Sequence, residues 1–434
     1  MQIEQILIIG AGMAGTRFAM HYAKNRLSAK NQLEQGRTDF AITLINSEPY
    51  AGYNRIMLSP VLAGEKSFEE IYLFELDEYA KHNITLLTGC SVSDINLDTH
   101  QVITDTGETL DYDKLVFATG STPFILPLPN HTAQGVMGFR TKADVDAMLE
   151  IAQSSHSKPK NCIVIGGGLL GLEAANALVQ HGAKVTVVHG ASYLLNRQLD
   201  KTAADLLQSY FENKGIDFVL NANSQAICVN DNNQVIGLTY SDSRDTTLPA
   251  QTLEADCIIM TVGVRPNIAL AQKAGIACER GILVDNQMRT HTPNVYAIGE
   301  CVQFDNQLFG LVAPVYEQAN ILIHTLNAQA ESVPTQVFSI QPTATKLKVS
   351  GVDLFSAGDI SATDDCEHLI YQDSSNSIYQ KLTVNNNRIV SAVLYGDVQD
   401  GSWFFELIQN QQDISSVKDK LLFGKAFCEE LLAS

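Results

Sequence analysis

Apolar and polar positions follow two different periods along this chain, and the change from one to the other falls near Pro334. Before it, short and largely apolar runs recur at Ile6 to Ile9, Phe40 to Ile45, Leu115 to Ala118, Cys162 to Ile165, Ala183 to Val188 and Asp256 to Val262. Runs of this length without strict alternation suit parallel strands buried on both faces. Two of them pass directly into a glycine-rich turn and then a helical stretch, the first from about Met13 to Lys24 and the second from Leu172 to Gln180. The pattern is thus duplicated, at residues 6–24 and again at 162–181. After Pro334, alternation of period two dominates in Ser377 to Val384 and Arg388 to Leu394, and the Asn385-Asn386-Asn387 turn between them predicts a hairpin. Helical stretches are expected at Ser402 to Gln409 and Ile414 to Leu422. The expected fold class is α/β, with two Rossmann-like domains and a C-terminal α+β domain.

The two turns read Gly10-Ala11-Gly12-Met13-Ala14-Gly15 and Gly166-Gly167-Gly168-Leu169-Leu170-Gly171, each a G-x-G-x-x-G match between a strand and a helix. In such a turn the first glycine permits the bend, the second lets backbone approach a diphosphate, and the third lets helix pack on strand. The helix N-terminus then offers free N–H groups and a partial positive charge to the phosphates. Two matches of this kind point to two bound dinucleotides. For the first ribose the candidate is Glu48, which lies 33 positions beyond Gly15, against a usual spacing of about 20. The polar stretch from Asn25 to Arg37 accounts for the excess, by lengthening the helix or its exit. The ribose role is favoured for Glu48 over that of a solvated loop carboxylate. In the second copy His189 stands 18 positions after Gly171, where enzymes that use NAD place Asp or Glu, and it could equally be an exposed loop histidine. No arginine follows it at once, which favours NADH over NADPH, although Arg197 could swing in on a loop.

Length and composition add limits. A chain of 434 residues needs two or three domains. The net charge of -19 opposes binding to nucleic acid or to anionic lipid. The N-terminus shows no basic region ahead of an apolar stretch, and no run is long enough to span a membrane, so a cytoplasmic location is expected. The eight cysteines lie far apart with no CxxC, so neither a zinc site nor a disulfide framework is expected. Cys366 and His368 are the one local soft-ligand pair, and a strand pattern explains them better than a metal does.

Several stretches resemble the FAD-dependent pyridine-nucleotide oxidoreductases, and more narrowly the flavin-carrying part of assimilatory nitrite reductase large subunits and the related rubredoxin reductases. They are Tyr53 to Ser59, Gly166 to Ala175, Arg197 to Asp200, Gly310 to Pro314, Thr345 to Lys348, and the tail segments Asp413 to Ser415 and Leu421 to Gly424. The resemblance covers nearly the whole chain. It implies an FAD-binding domain over residues 1–150 and 281–333, an NAD(P)-binding domain over 151–280 entered through the polar linker Ser154 to Lys160, and a dimerisation or docking domain over 334–434.

It also implies roles for individual residues. Gly10, Gly12, Met13, Ala14 and Gly15 would hold the FAD diphosphate, with Arg55 and Ser59 beside the diphosphate and flavin. Val92, following Cys90, would approach the adenine, while Ala118, Thr119 and Gly120 would line the cofactor and Gly299 and Glu300 would bind the ribityl chain. Arg140 would approach the flavin and Tyr316 would pass beneath the isoalloxazine edge. For NAD the corresponding residues are Gly166, Gly168, Leu169, Leu170, Gly171, His189, Arg197 and Gly263, with Glu173 directed to the nicotinamide end. Glu173 and Arg140 are the candidate catalytic residues. Either arginine near the flavin could instead form a surface ion pair, Glu173 a helix-surface salt bridge, and Tyr316 ordinary packing.

Hydride transfer between nicotinamide and flavin needs the rings held at about 3 to 3.5 Å, so the protein supplies position and electrostatics rather than an obligatory base. Family members that reduce disulfides carry a cysteine pair near the first flavin-binding helix. Here the first cysteine is Cys90, read as structural. Nitrite reductase large subunits continue into iron-sulfur and sirohaem domains, so the electrons are expected to leave to a separate protein: a nitrate or nitrite reductase component, rubredoxin or ferredoxin. Lys346 and Lys348 could form a small positive docking spot, or be plainly solvated. A homodimer is possible. The rival readings are a ferredoxin reductase serving an oxygenase, which Pro60 disfavours because those relatives read Leu-Ser-Lys there, and a non-catalytic redox sensor that holds flavin and nucleotide.

Overall fold

The computed structural model describes residues 3–30, 40–153, 159–245, 247–331, 336–361 and 366–428. The chain forms two compact units. One comprises Met1–Leu58, Lys66–Pro123 and Gly263–Ile340, the other Ser59–Glu65, Phe124–Val262 and Gln341–Ser434.

The first unit is built on a five-stranded parallel sheet in the order Val295–Ala297, Lys114–Phe117, Glu4–Ile9, Phe40–Asn46 and Ile84–Thr88. Ile6, Leu7 and Ile8 are almost wholly buried, as an all-apolar central strand with cover on both faces should be. The helix Met13–Lys30 and the helix Val312–Glu331 belong to the same unit and contact one another. The first helix runs past the expected end at Lys24 to Lys30, so it absorbs the start of the polar stretch from Asn25; positions 31–39 lie outside the described residues.

The second unit repeats the plan with a parallel sheet in the order Ile216–Val219, Lys184–Val188, Asn161–Ile165, Cys257–Met260 and Val136–Gly138. The helix Leu169–Gln180 follows its central strand. Contacts divide the chain at 123/124 and 262/263, rather than at the expected 150/151 and 280/281. The reason is strand pairing: Val136–Gly138 joins Cys257–Met260 at the edge of the second sheet, while Val264–Pro266 pairs with Ser121–Pro123 in the first unit. Most of the expected linker, positions 154–158, lies outside the described residues.

Residues 341–434 cluster with the second unit. Their antiparallel sheet runs in the order Thr345–Val349, Val352–Gly358, Arg388–Tyr395, Ile378–Asn385 and Glu367–Asp373, and the helix Gly401–Gln409 packs on it. The expected hairpin is present, with Asn386 and Asn387 at φ 48 and 56, the left-handed pair that a two-residue turn of the right twist requires. The expected helix at Ile414 to Leu422 does not form as such; only a 3-10 segment, Lys418–Phe423, is present. The Asp413 carboxylate accepts from the Ser415 N–H at 2.8 Å and the Ile414 N–H donates to the Asn387 carbonyl, so the stretch opens as a turn tied to the hairpin loop. Asp200 ties this sheet to the nucleotide-type fold of the same unit, capping the helix Lys201–Glu212 and accepting from the Tyr379 hydroxyl at 2.7 Å and the Lys381 ammonium at 3.3 Å.

Glycines within each turn do different work. A Cβ on Gly15 would lie 2.0 Å from the Gly10 carbonyl oxygen, and one on Gly171 at 2.0 Å from that of Gly166, whereas a Cβ on Gly12 or Gly168 would meet nothing within 4 Å. Gly15→Ala and Gly171→Ala are therefore expected to lose about 1 to 3 kcal/mol in denaturant unfolding. Gly12→Ala and Gly168→Ala should stay within roughly 0.5 kcal/mol of the parent.

Candidate functional site

In the first unit the glycine turn gathers residues far apart in sequence. Gly10, at φ +110, would place a Cβ 2.2 Å from the Ala118 carbonyl oxygen, so only glycine allows the strand end at Ala118 to close on the turn. Thr119 is then locked to Asn267: its hydroxyl donates to the Asn267 carbonyl at 2.7 Å, and the Asn267 amide donates back to the Thr119 carbonyl at 2.9 Å. Gly120, at φ +64, accepts from the Asn267 N–H. The Ser121 hydroxyl donates to the Glu300 carboxylate at 2.7 Å. Gly299 lies so close to the helix that an added Cβ would sit 3.0 Å from the Ala14 side chain, and its N–H donates to the buried Gln318 at 2.7 Å. Ala14, Ala118, Thr119, Gly120, Gly299 and Glu300 are thus assembled around the turn that Gly10, Gly12, Met13 and Gly15 make. The open space in front of Gly12 is where backbone can approach a diphosphate, so the residues present fit such a group.

Glu48 stands just beyond the strand Phe40–Asn46 and is held by two donors, the Tyr53 hydroxyl at 2.7 Å and the Arg55 guanidinium, which also donates to that hydroxyl at 3.0 Å. Glu48 and Arg55, expected as separate contacts to ribose and diphosphate, therefore form one ion pair, and both are partly exposed. Val92 begins the strand Val92–Asn96 and packs partly buried against the core. Tyr316, the fifth residue of the helix Val312–Glu331, lies half-buried under the Arg17 guanidinium. Gly263, at φ +114, opens the last segment of this unit. Burial first, then Asp105 and Glu108, push the Cys90 thiol up, away from a reactive thiolate.

In the second unit the helix Leu169–Gln180 has Gly168 as its N-cap, which supplies no side-chain acceptor to the first N–H groups, and Leu169 and Leu170 are partly buried. Gly166, at φ +120, would place a Cβ 2.8 Å from the Thr261 carbonyl oxygen, so the strand end at Thr261 closes on this turn as Ala118 does on the other. Gly171 packs helix on strand, and Gly168 faces open space. His189 ends the strand region Lys184–Val188, and its Nδ1 accepts from the Gly167 N–H at 3.1 Å. Burial lowers its pKa, against hydrogen bonds with Asn196 and Tyr193, so the ring is the neutral acceptor that this bond requires. Arg197 is exposed on the loop that follows.

Ser59, Arg140 and Glu173 all belong to this unit. The Ser59 hydroxyl donates to the Glu173 carboxyl at 2.6 Å, bringing together one residue expected beside FAD and one expected at the nicotinamide. Arg140 precedes the helix Lys142–Gln153, where its N–H and that of Thr141 each donate to Asp144 at 2.8 Å. Sequence reasoning missed Asn267, Ser121, Gln318 and Arg17; of these Asn267 and Ser121 had a local signal, the runs Gly263 to Asn267 and Thr119 to Pro123 that each follow a buried strand. Among the described residues no group of three or more His, Cys, Asp or Glu could hold a metal ion. None of the described helices is long and apolar enough to cross a membrane.

Comparison with known proteins agrees with this geometry. The family described as pyridine nucleotide-disulphide oxidoreductase matches residues 4–331, and the rubredoxin NAD+ reductase C-terminal domain matches residues 343–412. The nitrite reductase [NAD(P)H] of Bacillus subtilis is 40% identical over 95% of this chain and 48% of its own length. The assimilatory nitrate reductase electron transfer subunit of the same organism is 39% identical over 97% of this chain and 51% of its own length. The chain thus spans about half the length of these two relatives. The solved structure of NADH:rubredoxin oxidoreductase from Clostridium acetobutylicum superposes with a TM-score of 0.75 at 27% identity, covering 97% of this chain and 100% of that one.

Burial raises the Glu173 pKa from its ordinary 4.5, Ser59 opposes the rise and Glu65 adds to it. For an acid whose folded-state pKa is raised, the neutral form is favoured by folding; that stability is full below the unfolded value and is lost as pH rises through the folded one. Glu173→Gln should therefore melt above the parent at neutral pH, with the difference closing as pH falls below 4.5. Thermal melts of both proteins across that range measure it.

Proposed function

We propose, for a chain that belongs to the pyridine nucleotide-disulphide oxidoreductase family, that it oxidises NADH through bound FAD and passes the electrons to a separate redox protein. The observation that carries the reading is the pair of glycine turns, one in each unit. Each stands at the end of a buried parallel strand and opens a helix, with free space before its second glycine. Family membership makes the chain an oxidoreductase and implies FAD and NAD(P)H as its cofactors. FAD, when bound, supplies hydride acceptance and release of electrons singly or in pairs.

The rest is the work of this chain's residues. Gly10 to Gly15 would hold the FAD diphosphate against the helix dipole. Glu48 and Arg55 would meet the ribose and diphosphate, and Ser121 would fix the Glu300 carboxylate for the ribityl hydroxyls. Gly166 to Gly171 would hold NADH, and Glu173, its pKa raised by burial and its carboxyl bonded to Ser59, would stand as a hydrogen-bonding group toward the nicotinamide end. Arg140 would face the flavin. A neutral His189 offers no charge to a 2′-phosphate, which supports NADH as the preferred donor.

The acceptor is a nitrate or nitrite reductase component or a rubredoxin. The printed names of the relatives support both, and the C-terminal domain match supports the second. Lys346 and Lys348 are both exposed on the edge strand Thr345–Val349, and Lys348 lies opposite Asp353, so the suggested docking spot is of mixed charge. The raised Cys90 pKa is one observation against thiol chemistry as the route out.

Anaerobic stopped-flow mixing of the yellow protein with NADH should bleach the flavin band, and a candidate nitrite reductase component or rubredoxin should restore it. A flavin that neither NADH nor NADPH bleaches would replace this reading with that of a redox sensor. Replacing His189 by arginine is expected to shift the NADPH-to-NADH binding ratio toward NADPH by roughly tenfold or more, read by nucleotide titration.

A further inference from the structure

We infer that Arg17 is an anchor for the diphosphate of bound FAD, an inference that rests on the FAD reading above and assigns a charge to it. Arg17 lies in the helix Met13–Lys30, two residues past the last glycine of the first turn. Glu173 takes the same place after the second turn. The duplicated architecture thus presents a permanent cation at one turn and, at the other, a carboxyl whose pKa burial raises.

Three observations give Arg17 a ligand-facing role. Its guanidinium sits 4.3 Å from the centroid of the Tyr316 ring, which fixes the fork in place. Its Nε is buried and has no acceptor. No carboxylate is paired with it among the described residues, and its charge, with that of Lys24, helps burial to lower the His21 pKa. A buried guanidinium donor without an acceptor is costly, and a protein that retains one commonly spends it on a ligand.

The geometry selects the anion. Side chains in a helix lean toward its N-terminus, so Arg17 is directed back along the turn that begins at Met13. Tyr316, its stacking partner, is the fifth residue of the 20-residue helix Val312–Glu331, so the positive end of a second long helix is about one turn away. The group expected in front of Gly12 is a diphosphate, and the planar fork of arginine suits phosphate oxygens.

The test uses the full-length protein, stripped of flavin and titrated with FAD and separately with riboflavin, which lacks the phosphates. Arg17→Gln should raise the FAD Kd roughly tenfold or more and flatten its dependence on ionic strength, with riboflavin affinity unchanged. Arg17→Lys should fall between the two. Tyr316→Leu, which leaves the charge but removes the stack, should weaken FAD less than Arg17→Gln and keeps the test open should that variant fold poorly. An unchanged FAD Kd and salt dependence overturns the inference. So does an equal loss of FAD and riboflavin, which would make Arg17 a packing residue, or an unchanged Kd with a displaced flavin midpoint potential, which would turn the cation toward the ring. A parent protein that binds riboflavin and FAD equally weakly would instead overturn the FAD reading itself.

Discussion

The missing side chains at Gly15 and Gly171 are the constraint on which the structure depends. Each lets a helix lie so near the turn it follows that an added Cβ would overlap a carbonyl oxygen at 2.0 Å. That approach aims the helix N-terminus, with its uncapped N–H groups, at the end of the sheet where the neighbouring strands also finish. Gly10 and Gly166 extend the same economy sideways, since their left-handed backbone lets the strand ends at Ala118 and Thr261 close on the turns. Once these four positions are glycine, the placement of Thr119, Gly120, Ser121 and Thr261 follows from chain connectivity.

The two units then diverge in electrostatics while keeping one backbone plan. The first carries one cation without a paired carboxylate, Arg17 on Tyr316, together with the Arg55–Glu48 ion pair and the starts of two long helices. The second is nearly uncharged where it meets its turn, with a neutral His189 bonded to Gly167 and a Glu173 whose burial favours the protonated acid.

The sequence alone determined the duplicated strand, turn and helix, because glycine spacing and unbroken apolar runs are local signals. Ile6 to Ile9 and Cys162 to Ile165 form central strands where the pattern put them, and the Asn385 to Asn387 turn closes its hairpin. A local signal failed at Ile414 to Leu422, where helical periodicity produced only the 3-10 segment Lys418–Phe423.

Tertiary structure decided what no spacing encodes. Ser59 with Glu173, Ser121 with Glu300, and Thr119 with Asn267 are separated by more than a hundred positions: Ser121 meets Glu300 where the neighbouring parallel strands Lys114–Phe117 and Val295–Ala297 end, Thr119 meets Asn267 beside the antiparallel pair Ser121–Pro123 and Val264–Pro266, and Ser59 meets Glu173 of the helix Leu169–Gln180. Burial, too, is a property of the folded chain: it sets Glu173 toward its acid form and His189 toward its neutral one, and it leaves the Arg17 Nε without an acceptor. The sequence names these side chains, but their charge states and partners come from how much water the packing removes and from which carbonyls and carboxyls it brings near.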